Sequence, residues 1–403
     1  MFDNTYRLDG TRRGTTLAVL TIALAAGALT GGHAQTPVAA QNGARAGGAA
    51  SDSKPQLELL KLPAGFKIDL FASGVQGARS MALAPDGTLF VGTRANKLYA
   101  VVDANRDNVG EKVTELSTNL RTPNGLAFKD GSLFVGELNR IIRFDNVLDA
   151  VKAGSGAGLT TKVVLDGLPS EFMHGWKYIA FGPDGYLYYQ IGAPCNICDR
   201  GDPFAAIWRV KADGTGNEVF ARGVRNSVGM AWHPDTRELW FTDNGRDMLG
   251  DEQPNDELNH AARPGLHFGY PYCHEGVIAD PEFGSGHPCA SYEPPAQKMG
   301  PHVAALGLKF YTGSMFPAEY KNRLLIAQHG SWNRTPQAGP IGYRIMMATI
   351  EGNKVVKYEP FAEGFLQGRL AWGRPVDLLQ MPDGSLLVSD DTAGAIYRIT
   401  YRK

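Results

Sequence analysis

The stretch SMALAPDGTLFVGT, residues 80–93, shows the pattern that decides the fold. An apolar run leads into Pro-Asp-Gly, and a second run rich in Leu, Phe and Val follows. Asp-Gly between two such runs is typical of the tight turn of a β-hairpin. Five variants of this stretch follow along the chain, at 124–137, 176–192, 228–243, 306–328 and 375–390.

The spacing of these hairpins predicts a ring. The first four begin at residues 80, 124, 176 and 228, close to the roughly 40–50 residues of a four-stranded propeller blade. The longer intervals hold inserted loops, at 244–305 and 329–374. A lone hairpin has too little surface to bury, so the hairpins must stack around a closed ring. We therefore expect an all-β, six-bladed β-propeller in which AIYRITY, residues 395–401, completes a blade that FKIDLFA begins near residue 66.

The composition is that of an ordinary globular protein. The 403 residues carry a net charge of −1, with 40 Lys and Arg against 41 Asp and Glu. This balance gives no indication of a nucleic-acid partner or an anionic membrane surface. The 49 Gly and 24 Pro residues favour turns and short strands over long helices.

The N-terminus predicts export. Arg12 and Arg13 precede an apolar run that is shorter than the roughly 20 residues of a membrane span. We expect a signal peptide at 1–34, a disordered Gly/Ala/Ser-rich linker at 35–56 and the propeller at 57–403, in the periplasm or outside the cell.

The cysteine pattern agrees with an exported protein. Cys273 and Cys289 enclose a Gly/Pro-rich loop and are expected to form a disulfide. Cys195 and Cys198 have the spacing of a redox or zinc motif, but no second CxxC and no His pair accompanies them. A local structural disulfide is the favoured interpretation.

Polar side chains gather at the hairpin ends, where propeller loops converge on the central channel. Buried Arg needs an anionic partner, so several arginines at one channel indicate a polyanionic ligand. The residues concerned are His174, Arg225, Asn226, Asn244, Arg246, His329, Arg334 and Arg374.

The order of these motifs resembles one enzyme family. His-Gly before FGPDGYLYYQIG is followed by GVRN, TDNGRD, GDEQPNDELN, FGYPYC, HGSWNR and GRPVD. Together they resemble the soluble pyrroloquinoline-quinone (PQQ)-dependent sugar dehydrogenases, and most of all the sorbosone and aldose dehydrogenase branch. The resemblance covers residues of about 58–401. It implies an exported quinoprotein that oxidises a sugar by proton abstraction and hydride transfer to Ca²⁺-bound PQQ.

The resemblance assigns roles in catalysis. His174 matches the general base, and imidazole suits that task because its unperturbed pKa is about 6.5. A histidine that only bonds the backbone is the alternative. Arg225 matches the arginine beside the quinone carbonyls. Glucose-oxidising members orient the base with an Asp where this chain has Ala193, so another group must orient His174.

The resemblance also assigns cofactor contacts. His329 stands where those members place a lysine, with Trp332 as a helper. Arg79 and Tyr343 stay open between pocket residues and ordinary core or surface positions. The cofactor-binding residues implied are Arg225, Asn226, Asn244, His329, Arg334 and Arg374.

The acidic stretch TDNGRDMLGDEQPNDELN, 242–259, carries the implied calcium sites. Ca²⁺ takes 6–8 oxygen ligands, and this spacing is not that of an EF-hand. Gly245 and Arg246 match residues whose backbone carbonyls hold the catalytic ion. Asp256 and Glu257, with the Phe268 carbonyl, match a second, structural site. The acids without an implied role, expected in a solvated loop, are Asp247, Asp251 and Glu252.

Three functions fit the propeller. The leading hypothesis is a PQQ-dependent sugar dehydrogenase, a monomer or homodimer that passes electrons to a periplasmic cytochrome or quinone. A Ca²⁺-dependent lactonase of the gluconolactonase type is the alternative, but its single metal does not require several arginines. A non-catalytic binding propeller leaves the set of His174, Arg225 and Arg374 unexplained.

Overall fold

A computed structural model describes residues 54–402, which are built almost wholly of strands. The predicted signal peptide, 1–34, lies outside the described residues, as does the predicted linker up to residue 53. The described part contains one α-helix, α1 (Val147–Ala153), and three 3-10 turns (Leu57–Leu59, Cys289–Ser291 and Ala318–Tyr320). No helix in residues 54–402 is long and apolar enough to cross a membrane.

In chain order the strands are β1 (Phe66–Ser73), β2 (Ala78–Leu83), β3 (Leu89–Thr93), β4 (Leu98–Val102), β5 (Lys112–Ser117), β6 (Gly125–Lys129), β7 (Ser132–Gly136), β8 (Ile141–Phe144), β9 (Thr161–Leu165), β10 (Ile179–Phe181), β11 (Leu187–Ile191), β12 (Ala206–Val210), β13 (Glu218–Arg222), β14 (Met230–Trp232), β15 (Leu239–Asp243), β16 (Asn255–Ala261), β17 (Leu266–His267), β18 (Cys273–His274), β19 (Ile278–Ala279), β20 (Gln297–Pro301), β21 (Ala305–Phe310), β22 (Leu324–Gln328), β23 (Arg344–Glu351), β24 (Lys354–Ala362), β25 (Leu366–Gln367), β26 (Leu370–Ala371), β27 (Pro375–Gln380), β28 (Leu386–Asp390) and β29 (Ala395–Tyr401).

Six antiparallel sheets form the blades of a β-propeller. Blades 1 to 3 are β2 to β5, β6 to β9 and β10 to β13 in order. Blade 4 is β14, β15, β16 and β20, blade 5 is β21 to β24, and blade 6 is β27, β28, β29 and β1. The first strands of successive blades contact one another, and β27 contacts β2. The ring is therefore closed, as the hairpin repeat predicts.

The chain ends lock the ring together. β1 pairs with β29 from Phe66 opposite Tyr401 to Ser73 opposite Ala395. The N-terminal strand thus completes the blade that the last hairpin begins, which confirms the expected closure. Because β1 and β29 share backbone hydrogen bonds, opening the ring requires breaking a sheet.

The repeated turn and the apolar runs build each blade in the same way. In blade 1 the Asp86 carboxylate accepts the Thr88 N–H at 3.0 Å, and Gly87 takes the positive φ of 93° that the turn requires. The apolar side chains meet between neighbouring sheets: Phe90 and Leu98 of blade 1 pack with Val135 of blade 2.

The two long intervals are not wholly inserted loops. The first contains β16 and β20, the outer half of blade 4, and β17 adds in parallel to β13 of blade 3. The second contains β23 and β24 of blade 5. The strand β16 was not predicted from the sequence, because NDELNHA is polar and resembles a solvated loop. Its acid and amide groups are instead buried against specific partners.

Both predicted disulfides form. Cys195 is bonded to Cys198, and Cys273 to Cys289. No cysteine in the described residues is free. The CxxC pair is therefore a local bridge rather than a zinc site.

Candidate active site

His174 lies in the turn before β10, with its ring fixed by one hydrogen bond. Its Nδ1 is 2.7 Å from the carbonyl oxygen of Ala193. A carbonyl only accepts, so Nδ1 carries the hydrogen and Nε2 keeps its lone pair. Burial, together with the charges of Arg225 and Arg94, lowers the pKa of His174 to about 3. The imidazole is neutral at pH 7, as a general base must be.

The main chain around His174 orients its ring, since position 193 carries Ala rather than an orienting Asp. A Cβ on Gly192 would lie 2.6 Å from the His174 Cβ, so only glycine allows β11 to run this close. Beneath the turn the buried Lys177 donates to the carbonyls of Gly175 at 2.5 Å and Leu138 at 2.9 Å. The orienting group is the main-chain carbonyl of Ala193 itself.

Arg225 adjoins His174 through the same residue. The Ala193 N–H donates to the Arg225 carbonyl at 2.8 Å. The Arg225 side chain is buried, 4% exposed, and its Nη2 forms an ion pair with Asp247 at 3.2 Å. Its Nε and Nη2 donate to the carbonyl and side-chain oxygens of Asn196 at 2.9 and 3.0 Å, and Nη1 donates to the Asn244 carbonyl at 3.1 Å. The guanidinium is thus held on every nitrogen.

Asn226 and Asn244 are held beside Arg225 by a buried acid. The Asp243 carboxylate accepts the N–H groups of Arg225 at 2.9 Å and Asn226 at 2.6 Å. Asn244 donates its side-chain NH₂ to the carbonyls of Asn226 at 3.1 Å and Ala305 at 2.9 Å. The Asn226 Oδ1 is buried and accepts no hydrogen bond from residues 54–402. Such an orphaned acceptor indicates a ligand or water.

A second cluster forms around Asp391. Its carboxylate pairs with Arg79 Nη1 at 3.0 Å and with His329 Nε2 at 2.8 Å. Burial alone would raise the pKa of Asp391, but His329, Arg79 and Arg374 hold it well below its usual range. Burial lowers the pKa of His329 to about 4. His329 therefore stays neutral near pH 7 and donates Nε2–H to an ionised Asp391.

Arg374 joins this cluster. It donates to the carbonyls of His329 at 3.0 Å and Gly330 at 2.8 Å, and its guanidinium lies 5.4 Å from the ring centre of Tyr343. Tyr343 is buried and donates its hydroxyl to the Ser331 carbonyl at 2.5 Å. Arg79 is only 2% exposed. Both residues whose roles the sequence left open thus belong to the buried cluster or its support.

Arg94 belongs to the site and was missed from the sequence. Its guanidinium lies 3.7 Å from the ring centre of Trp176, and within the described residues it makes no hydrogen bond. Burial, together with the charges of Arg79 and Arg374, lowers the pKa of Arg94 to about 10. The indole N–H of Trp176 is buried without a partner in the same part of the chain. Arg94 directly follows the first hairpin, the position that supplies Asn244 after the fourth, so the repeat could have indicated it.

Arg334 and the remaining acids tie loops together. Arg334 donates to the Gly339 carbonyl at 2.8 Å and to Glu252 at 2.9 Å, and it also contacts the Asp251 carbonyl. Thr335 donates its hydroxyl to the Asp251 carboxylate at 2.6 Å. The partners of Arg334 are Asp251, Glu252 and Gly339, and none of them belongs to the cluster around Asp391.

Three side chains differ from their sequence-based expectations. Asp247 pairs with Arg225 and Asn333, and Asp251 binds Thr335, so neither is a freely solvated loop acid. Glu252 reaches only Arg334. Trp332 is 77% exposed and so is not packed into the cluster.

Four of the five predicted metal residues line one small cavity. It measures about 10 Å³, and Gly245, Arg246, Glu257 and Phe268 line it together with Asp243. The carbonyl oxygens of Gly245, Arg246 and Phe268 accept no hydrogen bond from residues 54–402. No cluster of three or more His, Cys, Asp or Glu side chains with metal-binding geometry occurs in that range. Any cation there would depend on backbone carbonyls.

Asp256, which the resemblance groups with Glu257 at a second calcium site, accepts hydrogen bonds from the main chain. Its carboxylate accepts the N–H groups of Gly245 at 2.8 Å and Ala304 at 2.7 Å, and it does not line the cavity. Asp243 lines it instead. The Arg246 guanidinium turns away to Asp280 at 2.5 Å, which leaves its carbonyl for the cavity.

Burial makes this acid group electrostatically unfavourable. It raises the pKa of Asp243 to about 7, of Asp256 to about 6 and of Glu257 to about 8. The carboxylates raise one another's pKa as well. Buried acids with such pKa values fit a site for a cation.

A family model described as Glucose / Sorbosone dehydrogenase matches residues 160–398. The chain belongs to the glucose/sorbosone dehydrogenase family. The match includes His174, Arg225, His329 and Arg374, whereas Arg94 precedes it. Membership confirms the family that the motifs resemble and makes the protein a sugar dehydrogenase, an oxidoreductase.

The proteins to which this chain is similar differ from it widely in sequence. An uncharacterized protein of Borreliella burgdorferi is 34% identical over 85% of this chain and 91% of its own length. The aldose sugar dehydrogenase YliI of Escherichia coli is 23% identical over 66% of each. The solved holo form of the pyranose dehydrogenase PQQ domain from Coprinopsis cinerea superposes on this chain with a TM-score of 0.69 at 18% sequence identity. The superposition covers 86% of this chain and 98% of the Coprinopsis cinerea domain. That likeness confirms the fold.

Proposed function

We propose that this protein is a PQQ-dependent dehydrogenase of an aldose or a sorbosone-like sugar, with His174 as its general base. The observation that carries the proposal is the state of His174. Its Nδ1–H is held by the Ala193 carbonyl, its Nε2 is free of any partner among residues 54–402, and two arginines adjoin it. This arrangement supports proton abstraction from a sugar hydroxyl at Nε2.

The unpaired groups around His174 fit an anionic quinone. PQQ carries three carboxylates, and Arg94 offers an unpaired guanidinium. Arg79 and Arg374 add two positive charges beside the carboxylate of Asp391. When bound, PQQ supplies the two-electron acceptor of the reaction. The Coprinopsis cinerea domain similar in fold is named for the same cofactor.

The protein's own groups then divide the work of proton transfer. Nε2 of His174 takes the hydroxyl proton of the sugar. The imidazolium that forms strengthens its bond to the Ala193 carbonyl, because Nδ1–H becomes a charged donor. Arg225 stabilises negative charge that develops next to it, and Asn196 and Asp247 keep its guanidinium in place.

We further propose that Ca²⁺ occupies the cavity beside Asp243. A hard cation prefers oxygen ligands, and three unpaired carbonyls, those of Gly245, Arg246 and Phe268, adjoin the carboxylate of Glu257. The cavity has about the room that one water or ion needs. A bound dication would relieve the repulsion between buried carboxylates. Asp256 serves this site indirectly by holding the Gly245 N–H.

Export and electron transfer complete the proposal. Two disulfides support an oxidising compartment, the periplasm or the cell exterior. The electrons would then pass to a periplasmic cytochrome or quinone. A Ca²⁺-dependent lactonase is set aside, because the family that matches is one of dehydrogenases.

An absorption experiment tests the assignment. Purified protein is mixed with PQQ and CaCl₂, and the quinone band is followed while an aldose is added. We expect substrate-dependent reduction of the quinone, which His174→Asn should slow without releasing PQQ. The absence of measurable PQQ binding in the presence of Ca²⁺ would contradict the proposal.

A further inference from the structure

The segment Ala193–Cys198, which we call the CxxC segment, contacts both residues of the proposed proton-transfer site. At its start, the Ala193 carbonyl accepts from His174, and the Ala193 N–H donates to Arg225. Near its end, Asn196 lies between the two bonded cysteines. One short stretch of chain therefore touches His174 and Arg225 at once.

Asn196 uses all of its side-chain groups on Arg225 and Asp247. Its Oδ1 accepts from Arg225 Nη2 at 3.0 Å and from the Asp247 N–H at 2.7 Å. Its NH₂ donates to the Asp247 carbonyl at 3.0 Å, and its own carbonyl accepts from Arg225 Nε at 2.9 Å. Among residues 54–402, only Asn196 accepts hydrogen bonds from the Arg225 guanidinium with both its main-chain and its side-chain oxygen. The placement of this guanidinium thus depends on where Asn196 is held.

The CxxC segment runs from a buried residue, Ala193, to half-buried residues that border solvent. Ala193, Pro194 and Cys198 line an open surface cavity of about 280 Å³ whose lining does not include Arg225. The Tyr270 hydroxyl supports the segment: it accepts the Cys198 N–H at 3.0 Å and lies 3.5 Å from both the Asn196 carbonyl oxygen and the Cys195 Sγ. A segment that borders solvent loses its geometry easily unless a covalent link restricts it. The Cys195–Cys198 bridge is that link.

We propose that Asn196 is a positioning residue for Arg225, and that the Cys195–Cys198 disulfide serves the active site by holding Asn196. The inference rests on the proposed function in assigning Arg225 to the reaction. It differs from a general stabilising role of the disulfide. A stabilising bridge would change only the melting temperature, whereas a positioning bridge changes the charge that His174 experiences and the affinity for the cofactor.

The test uses the full chain with Asn196→Ala and with Cys195→Ser/Cys198→Ser. Asp199→Asn is the matched control, because Asp199 lies in the same loop but binds Tyr272 rather than Arg225. The first readout is the NMR titration of the His174 imidazole in the protein without cofactor, assigned by its loss in His174→Asn. Arg225 and Arg94 are the charges that act on this imidazole. Moving Arg225 away should shift the titration to higher pH by roughly half a unit or more.

The second readout is PQQ affinity, measured by titration at fixed Ca²⁺. We expect it to fall about tenfold or more in both test variants and to stay within about twofold in the control, since one or two charge-assisted contacts are lost. If the double serine variant fails to fold, Asn196→Ala tests the positioning of Arg225, and the same two readouts on folded wild-type protein whose Cys195–Cys198 bridge has been reduced test the role of the disulfide. An unchanged titration together with unchanged affinity in a folded Asn196→Ala protein overturns the inference. If the wild-type protein binds no PQQ, the proposed function fails, but the titration still tests the positioning of Arg225.

Discussion

Replacing His174 by Asn separates its chemical role from its structural one. An Asn side chain can place an NH₂ donor near the position of Nδ1, toward the Ala193 carbonyl, but it offers no base in place of Nε2. His174→Ala removes both groups. The two variants therefore differ by the hydrogen bond of 2.7 Å that fixes the ring.

The magnitudes follow from this geometry. A neutral hydrogen bond contributes about 0.5–1.5 kcal/mol, and an acceptor left unpaired in a buried position costs about 1–3 kcal/mol. The carbonyl belongs to Ala193, which is 1% exposed, so His174→Ala should lose stability on that scale while His174→Asn should stay close to the wild type. Both should lose turnover by about 10²–10⁴-fold, the usual contribution of a positioned base.

The assay measures turnover of an aldose with PQQ and Ca²⁺ present, together with PQQ affinity and melting temperature. PQQ affinity should change little in either variant, because the arginines and not His174 carry the charge for it. His287→Asn is the control, since this histidine bonds Tyr292 away from the site. A His174→Asn protein that keeps near-normal turnover with PQQ bound would refute the mechanism.

Three further predictions follow from the charges of the site. Removing Ca²⁺ with a chelator should abolish turnover and lower the melting temperature. The melting temperature should rise again with added Ca²⁺, because the ion binds only the folded state. Unchanged activity and an unchanged melting temperature after chelation would exclude the proposed Ca²⁺ site. Arg94→Gln should weaken PQQ binding by about 1.5–3 kcal/mol. It should cost little stability, because Arg94 makes no hydrogen bond within residues 54–402. The control Arg334→Gln should leave PQQ affinity unchanged, and equal effects of the two variants would contradict the assignment. Because the pKa of His174 is lowered to about 3, the base should stay deprotonated as the pH falls. The acid limb of the pH profile of kcat/KM should therefore lie below about 6.5, the pKa of a free imidazole. An acid limb at or above about pH 6.5 would show that burial does not lower the pKa of His174.

The hairpin repeat predicted the ring because its signal is local. Asp-Gly turns mark four of the six blade-forming hairpins and apolar runs flank all six, and β1 could be paired with β29 because β1 precedes the first hairpin and β29 follows the last. The outer strands were harder to predict. β16 carries Asp256 and Glu257 in a sequence that reads as a loop, and only the buried partners of these acids show why a strand tolerates them.

The groups around His174 were predictable only where side chains carry them. His174, Arg225 and Arg374 follow from motifs, and the structure brings each into a buried polar cluster. The group that orients His174 is a main-chain carbonyl, which any residue at position 193 would supply, so no side chain there announces it. For the same reason Asp243 and Asp256 could not be told apart, because their roles depend on which backbone N–H groups each accepts.

Reliance on the backbone makes the orientation of His174 insensitive to the side chain at position 193. A substitution that replaces an orienting side chain would release a base held by an Asp, whereas a base held by a carbonyl is lost only when the main chain moves. The main chain near Ala193 is fixed by the close approach of Gly192 to His174 and by the bridge between Cys195 and Cys198. We therefore expect substitutions of Ala193 by other small residues to be tolerated, while changes that open the bridge or enlarge Gly192 disturb His174 and Arg225 together.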